Sequence, residues 1–313
     1  MDGGQWTVVG RDFGSTAASH PDAGYVPRVV FNSVYCLLST VYRYTPPMRR
    51  FDALVLENRE ISRDYRRIVL EWPGEVGTPR PGAFLTVGVS GTTDPLLRRP
   101  FAFSGFDPLD GWASFIFQIR GPATRLLAER RPGTVLDVLG PLGNGFPDPA
   151  AGALPILAGG GIGLGPMLFT ARDFQSRAAE GGWKAPVLVL GFRTAPQIPD
   201  IELPEGTAVC TDDGSSGFHG SAVQGVELAE AGSRYGTEAP PIYYACGPAP
   251  MLAALNRLAA SRSAPYWAAV EQWMACGVGA CMGCAVRLKD GSFARACVEG
   301  PVFEGSRIDW GAM

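Results

Sequence analysis

Two patterns of apolar and polar positions divide most of the chain. Over 51–140, short runs at 51–57, 67–72, 84–89, 112–120 and 135–139 are rich in Val, Ile, Leu and aromatic residues, with Gly and Pro between them. Such punctuation, at roughly ten-residue spacing, predicts the strands of an antiparallel barrel. Within this region Gly121-Pro122-Ala123-Thr124 leads into 125–130, which reads as a strand end, a cap and a short helix. Free N–H groups near Thr124 offer a phosphate site, although a plain capped helix accounts for the stretch taken alone.

Over 153–262 the pattern changes to strands alternating with helices. Runs at 154–158, 186–191, 207–211 and 242–245 read as strands; a segment ending near 179 and segments 221–231 and 250–260 read as helices. That alternation predicts βαβ units around a parallel sheet, and such sheets bind ligands at the carboxyl ends of their strands. Three glycine-bearing turns fall there: Gly159-Gly160-Gly161-Ile162-Gly163, Gly191-Phe192-Arg193-Thr194 and Cys246-Gly247-Pro248. The first is not a strict G-x-G-x-x-G, because Pro166 takes the last glycine position. It still presents backbone N–H groups and a helix start to a pyrophosphate. Taken alone, close strand–helix packing explains it equally.

Beyond Pro265 a strand-like run over 266–273 enters a loop with the spacing C-x4-C-x2-C-x12-C, formed by Cys276, Cys281, Cys284 and Cys297. Gly277, Gly279 and Gly283 let the backbone bend tightly, with φ > 0, so that several sulfurs point inward. The spacing is that of plant-type [2Fe–2S] sites. Zinc and disulfides are the other readings; zinc prefers paired knuckles with a long spacer, and disulfides suit an oxidising compartment. Runs 284–288 and 292–296 flank Lys289-Asp290-Gly291 and read as a hairpin, which would return Cys297 towards Cys284.

Composition narrows the function classes. A chain of 313 residues, 46% apolar, suggests two domains and a small appended module. A net charge of −3 and a pI near 5.5 argue against nucleic acid as a main partner. No apolar run is long enough to span a membrane, and the N-terminus lacks a signal-peptide pattern. Only His20 and His219 are present, which leaves His-based metal sites and Ser-His-Asp chemistry poorly supplied. Residues 1–47, with an apolar patch at 29–38, carry no recognisable chemistry. They read as an extension of unknown role, with Met48 as an alternative start just ahead of the first strand.

Taken in order, Arg99-Pro100-Phe101-Ala102-Phe103-Ser104, the segment from Gly140 to Phe146, Gly159–Gly163, Thr211-Asp212-Asp213-Gly214, Cys246-Gly247-Pro248 and the cysteine loop resemble the electron-transfer subunits of two-subunit dihydroorotate dehydrogenases, in the ferredoxin reductase-like superfamily. The resemblance runs from about Met48 to Trp310 and is most specific over 274–281. The short gap before Cys297 suits this family better than plant ferredoxins.

This resemblance implies a β + α/β architecture: an antiparallel FAD-binding β-barrel domain over 48–150, a Rossmann-like parallel-sheet NAD-binding domain over 151–264, and a small [2Fe–2S] module over 265–313, behind the extension 1–47. It implies FAD, a [2Fe–2S] cluster and NAD(H) as cofactors. Arg99, Pro100, Phe101 and Ala102 match a flavin-binding R-P-x-S segment whose arginine pairs with pyrophosphate by fork geometry; Ala102 stands where the family has serine. Ile116, Phe117 and Gln118 match a strand lining the flavin, and Ala123 and Thr124 match a Gly-Thr at the pyrophosphate. Gly159, Gly160, Gly161, Gly163, Asp212, Cys246 and Gly247 would line the nicotinamide nucleotide. Cys276, Cys281, Cys284 and Cys297 would hold the cluster, near the surface, with Val278 and Met282 on an apolar rim. No catalytic residue is assigned beyond Cys246 as a neighbour of the nicotinamide.

The implied partner is an FMN-containing dihydroorotate dehydrogenase catalytic subunit, in a cytoplasmic heterotetramer with two copies of each chain that serves pyrimidine biosynthesis. Two alternatives stay open here. One is an NAD(P)H-linked FAD/[2Fe–2S] subunit of another complex, of ferredoxin:NADP reductase or hydrogenase type. The other is a zinc-stapled nucleotide-binding module without redox activity. Arg193 alone falls short of a 2′-phosphate pocket, and the resemblance favours NADH. Singly, Arg99 reads as a surface arginine, Phe101 and Phe103 as barrel core, Glu271 as a solvated residue, and Cys36, Cys210 and Cys246 as simply buried thiols.

Overall fold

The computed structural model describes residues 48–231 and 239–313. The extension 1–47, with its apolar patch and Cys36, lies outside the described residues. Six strands form a closed antiparallel barrel: β1 (Arg49–Ser62), β2 (Tyr65–Glu71), β3 (Phe84–Gly88), β4 (Arg99–Asp107), β5 (Trp112–Gln118) and β6 (Val135–Leu142), in the order β1-β2-β5-β4-β3-β6. Register shifts at Val55/Glu57 and Glu60/Ser62 mark bulges that bend the long β1 around the barrel. Leu85, Val87, Phe103, Phe115, Phe117 and Val138 fill its interior. A short helix α1 (Pro122–Ala128) follows β5 and begins three residues earlier than the sequence pattern indicated.

The strand pattern missed β4. The segment carries Pro100, which is tolerated because it sits second in the strand, paired with Thr86. Alternation then decides the faces. Phe101 and Phe103 point inward, and Phe101 stacks on Phe115 with ring centroids 4.6 Å apart. Ser104 faces outward with Ile116 of β5, against the next layer.

That layer is a seven-stranded sheet in the order β10-β9-β8-β7-β11-β12-β15. Its elements are β7 (Leu154–Gly160), α2 (Leu164–Gly181), β8 (Val187–Phe192), β9 (Ala208–Thr211), β10 (Phe218–His219), α3 (Ala222–Ala231), β11 (Pro241–Cys246), α4 (Ala249–Ser261), β12 (Tyr266–Ala269), a small hairpin β13 (Ala285–Arg287) and β14 (Phe293–Arg295), and β15 (Val302–Glu304). All sheet pairings are parallel except β12–β15. β7 lies central and is buried throughout, as a strand covered on both faces must be. β12 and β15 come from the chain beyond Pro265, so the cysteine-bearing segment is sewn into the seven-stranded sheet. The predicted run 266–273 is strand only to Ala269; the rest is irregular.

The start of α2 rests on the barrel. A Cβ at Gly165 would lie 3.4 Å from Ser104 Cβ and 3.7 Å from Ile116 Cβ, so glycine there gives close approach of helix to strand. On the opposite side of the barrel, Asp137 of β6 accepts from Arg98 at 2.6 Å and from Arg50 at 2.9 and 3.0 Å. Burial pushes the Asp137 carboxyl up, and the two guanidinium groups outweigh it, holding the carboxyl below its usual range. A group depressed in this way stabilises the fold above its unfolded pKa of about 3.9 and loses that contribution as pH falls through the folded value. Asp137→Asn is therefore expected to cost about 1–3 kcal/mol at pH 7, with the gap to the parent protein closing below about pH 4; urea unfolding across pH checks this.

Candidate electron-transfer site

The small hairpin turns through Gly291, with φ 84°. Asp290 Oδ1 accepts from the Ser292 N–H at 2.9 Å, and Leu288 N–H donates to the Ser292 carbonyl at 2.9 Å. The hairpin therefore closes in register, and Ala296 N–H reaches the Cys284 carbonyl at 2.9 Å. Cys284 and Cys297 are thereby placed with sulfurs 3.3 Å apart, both buried. Cys276 and Cys281, both free thiols, form a second pair towards the surface, joined by a side-chain hydrogen bond. Among the described residues no three His, Cys, Asp or Glu side chains gather as ligands of one metal ion.

Three backbone N–H groups aim at these sulfurs: Val278 on Cys276 at 3.5 Å, Gly283 on Cys281 at 3.4 Å, and Gly279 on Cys297 at 3.1 Å. The Val278 N–H brings the Cys276 thiol down to about 6, while burial and the Cys284 neighbour push Cys297 up to about 12. Two thiol pairs with N–H donors on their sulfurs suit a two-iron centre with two thiolates per iron. Gly277 and Gly279 take the expected positive φ, at 70° and 83°, but the third reversal falls on Met282 (φ 59°) rather than Gly283. The tight turn from Cys281 to the Gly283 N–H puts it on the residue between. Val278 and Met282 are 40% and 51% exposed, and Trp273 reaches 92%.

The loop is docked on the barrel. A Cβ at Gly277 would lie 3.2 Å from Thr86 Cγ2 of β3 and 3.8 Å from Leu142 Cδ1 of β6. Asn144, just after β6, brackets the chain that follows Cys297. It donates to the carbonyls of Glu299 (2.8 Å) and Val302 (3.0 Å) and accepts from the Val302 N–H (3.0 Å). Gly143 beside it has φ 70°, and a Cβ there would meet Pro301 Cδ at 2.5 Å.

Among the residues matched to a flavin site, β4 and β5 divide by face. Pro100 and Ala102 lie on the face away from the barrel interior with Ile116; Phe101 and Phe117 belong to the interior. Arg98 is fully committed to Asp137 and Thr86. Arg99 bonds only the carbonyls of Leu97 and Arg98 and, among the described residues, has no carboxylate partner. Gln118 accepts from Arg120 Nε at 2.6 Å. In α1 the first internal bond runs from Arg125 N–H to the Gly121 carbonyl, which leaves the N–H groups of Ala123 and Thr124 outside the helix ladder. Thr124 Oγ1 accepts from the N–H groups of Arg120 and Gly121, at 2.9 and 3.0 Å, and so fixes the chain entering the helix. An arginine without a carboxylate partner, and N–H donors left outside a helix ladder, are each groups a phosphate-bearing cofactor can use.

At the nucleotide sheet the glycine turn and the Cys246-Gly247 turn come together, because β7 and β11 pair directly with Gly159 beside Cys246. A Cβ at Gly163 would sit 2.0 Å from the Cys246 carbonyl oxygen, one at Gly160 2.6 Å from Met251 Sδ, and one at Gly247 2.6 Å from Met251 Cε. Tyr65 of β2 places its hydroxyl 3.5 Å from a Cβ built at Gly161, so the barrel meets this turn. Asp212 lies exposed on the same sheet edge, its N–H on the Phe192 carbonyl, but two strands from β7, roughly 10 Å away. Burial, then the Glu271 carboxylate, pushes the Cys246 thiol up to about 12, so it is a neutral thiol at ordinary pH.

A closed antiparallel barrel, a parallel nucleotide sheet and a four-cysteine loop docked on the barrel define a ferredoxin reductase-like electron-transfer protein. A solved structure with this architecture, described as an NADH-dependent reduced ferredoxin-NADP oxidoreductase involved in flavin-based electron bifurcation, aligns with a TM-score of 0.69 at 25% identity, covering 83% of this chain and 90% of its own. The ferredoxin reductase of carbazole 1,9a-dioxygenase shares the fold, with a TM-score of 0.58 over 70% of this chain and 67% of its own, at 24% identity. Residues 271–309 match the iron–sulfur cluster binding domain of dihydroorotate dehydrogenase B. The electron transfer subunit of dihydroorotate dehydrogenase B (NAD(+)) from Bacillus caldolyticus is 38% identical over 73% of this chain and 86% of its own. That from Caldanaerobacter subterraneus subsp. tengcongensis is 32% identical over 81% and 96%. The chain belongs to the family of dihydroorotate dehydrogenase B electron transfer subunits.

Residue-by-residue reading missed Trp273, Thr86, Asn144 and Arg295 at the sulfur loop. The one available signal was Arg295-Ala296-Cys297-Val298-Glu299, opposite charges either side of a candidate ligand cysteine. Asn144→Ala is expected to cost about 1–3 kcal/mol and to speed hydrogen exchange over 265–304 more than in the barrel strands. Equal acceleration in both would contradict the bracket.

Proposed function

We propose that this chain relays electrons between a dihydroorotate-oxidising catalytic subunit and NAD, with FAD, a [2Fe–2S] cluster and NAD(H) as its cofactors. The observation that carries this reading is the docking of a four-thiol loop, with N–H groups on its sulfurs, onto strands β3 and β6 next to the strand that carries Arg99. When bound, FAD exchanges electron pairs with NAD(H) and single electrons with the cluster. This chain's residues hold, orient and shield those groups. Cys276, Cys281, Cys284 and Cys297 hold the iron. Arg99 and the N–H groups of Ala123 and Thr124 bind the FAD pyrophosphate, and Pro100, Ala102 and Ile116 give the flavin an apolar backing. Ala102 provides no hydroxyl where the family segment has one, so hydrogen bonding to the flavin there falls to backbone groups. Gly159 to Gly163, with Cys246 and Gly247, receive the nicotinamide nucleotide, and Asp212 stands further along the same edge. On this reading 48–150 is the flavin domain, 151–264 the nucleotide domain and 265–313 the cluster module.

The partner we infer is an FMN-containing catalytic subunit, in a cytoplasmic heterotetramer with two copies of each chain. Exposed Trp273, Val278 and Met282 beside the thiols support a surface for electron exchange with a second protein. No helix among the described residues is long and apolar enough to cross a membrane. Visible and EPR spectra of the anaerobically purified protein, before and after NADH, provide the test. Flavin and [2Fe–2S] absorption that bleaches with NADH, with an EPR signal from the reduced cluster, is expected, and Cys281→Ser should lose that signal while keeping the flavin. The isolated chain should not turn over dihydroorotate. A colourless, zinc-containing protein, even after reconstitution with iron and sulfide, would overturn the reading.

A further inference from the structure

Gly279 is the residue of the sulfur loop whose two backbone polar groups both have assigned partners away from the loop's own turns. Its N–H donates to Cys297 Sγ at 3.1 Å, and its carbonyl accepts from Arg295 Nη1 at 3.0 Å. Its φ is 83°, where side-chain-bearing residues are strained. A Cβ there would also lie 2.6 Å from Val298 Cγ2 and 3.1 Å from Arg295 Nη1. No side chain can therefore stiffen this position, and glycine has the widest backbone freedom of any residue. The restraint has to come from outside.

Arg295 supplies it, and Arg295 is itself held. Its Nε donates to Glu299 Oε2 at 3.0 Å, its backbone N–H to the same oxygen at 2.7 Å, and its Nη2 to Glu299 Oε1. The N–H groups of Val298, Glu299 and Gly300 return to the Arg295 carbonyl at 3.1, 2.9 and 3.2 Å, wrapping the backbone around Cys297. A planar fork gripped along one edge by a carboxylate leaves the other edge in a fixed direction, and that edge meets Gly279.

We propose that Arg295 is a positioning residue for the iron–sulfur centre: with Glu299 behind it, Arg295 fixes the Gly279 peptide so that its N–H stays on the Cys297 sulfur and sets the reduction potential there. This inference rests on the cluster reading above. Hydrogen bonds to ligand sulfurs and nearby charge are levers on cluster potential. An N–H on a thiolate favours the more electron-rich, reduced form, and the guanidinium adds positive charge on the same side. Loss of Arg295 lowers the potential on both counts. Lysine keeps the charge but cannot grip Glu299 along one edge and reach Gly279 with the other.

The test is an EPR-monitored redox titration of the full chain, anaerobically purified, as parent protein, Arg295→Ala, Arg295→Lys and Glu299→Gln, with iron and sulfide content measured for each. At the potential that half-reduces the parent cluster, Arg295→Ala should show a reduced-to-oxidised ratio lower by about tenfold, a shift of about 59 mV for a one-electron couple. Arg295→Lys should fall between it and the parent. Glu299→Gln, which removes the opposing charge, should not share the drop of Arg295→Ala. Parent-like potentials in both arginine variants would overturn the proposal. If Arg295→Ala takes up no cluster, Arg295→Lys decides: a potential below the parent supports the role, and an unchanged one rejects it. A parent protein without a [2Fe–2S] signal would instead bring down the functional reading, and this inference with it.

Discussion

Three hydrogen bonds from the Asn144 side chain set where the sulfur loop stands. Electron exchange between two bound groups depends on their separation, and here the two sets of candidate ligands come from segments far apart in sequence. Arg99 and the outward face of β4 belong to the barrel, and the cysteines lie near the C-terminus. Asn144 leaves the last barrel strand and takes both the carbonyl and the N–H of Val302, with the Glu299 carbonyl besides. Gly277 on the same loop rests against Thr86 and Leu142. Because β12 and β15 also extend the nucleotide sheet, the loop is held by both layers and has little freedom to drift from either.

The same accounting of partners separates two adjacent arginines. Arg98 and Arg99 are sequence neighbours with opposite fates. Arg98 is consumed by Asp137 and Thr86, closing the barrel between the β3–β4 connection and β6. Arg99 bonds only backbone carbonyls and has no carboxylate partner among the described residues. At the cysteines the donors on the sulfurs are backbone N–H groups, which stabilise thiolates, and the Arg295–Glu299 pair stands behind one of them. Cys246, by contrast, is surrounded so that its thiol stays protonated.

Glycine in the nucleotide turn acts through contact as much as through conformation. Gly163 accommodates the Cys246 carbonyl, and Gly160 and Gly247 make room for Met251. Two turns that are distant in the chain thus interlock at the carboxyl edge of adjacent strands. The departure from strict G-x-G-x-x-G at Pro166 carries no penalty, since Pro166 lies within the first turn of α2, where a missing N–H costs nothing.

Much of this was legible in the residues. Strand periodicity, the βα alternation, the cysteine spacing and the Asp290-Gly291 turn are local signals, each decided within about ten residues, and the barrel, the parallel sheet and the paired Cys284 and Cys297 followed from them. The misses share a cause. β4 was hidden because a proline argues against a strand until its place at the strand's start is known. The split of Phe101 and Ala102 between interior and exterior depends on strand registers that include a bulge. Gly283 and Met282 exchanged roles through a two-residue turn around Cys281. Asn144, Thr86 and Arg295 carry no motif, since each matters only through a partner brought near by folding. The sequence by itself therefore determined most of the elements and the spacing of the four candidate thiols, because propensity and ligand chemistry are properties of short segments. Only the tertiary structure decided which arginine stays open, which peptide faces which sulfur and how firmly the loop is held, because hydrogen bonds between distant segments exist only once the layers have packed.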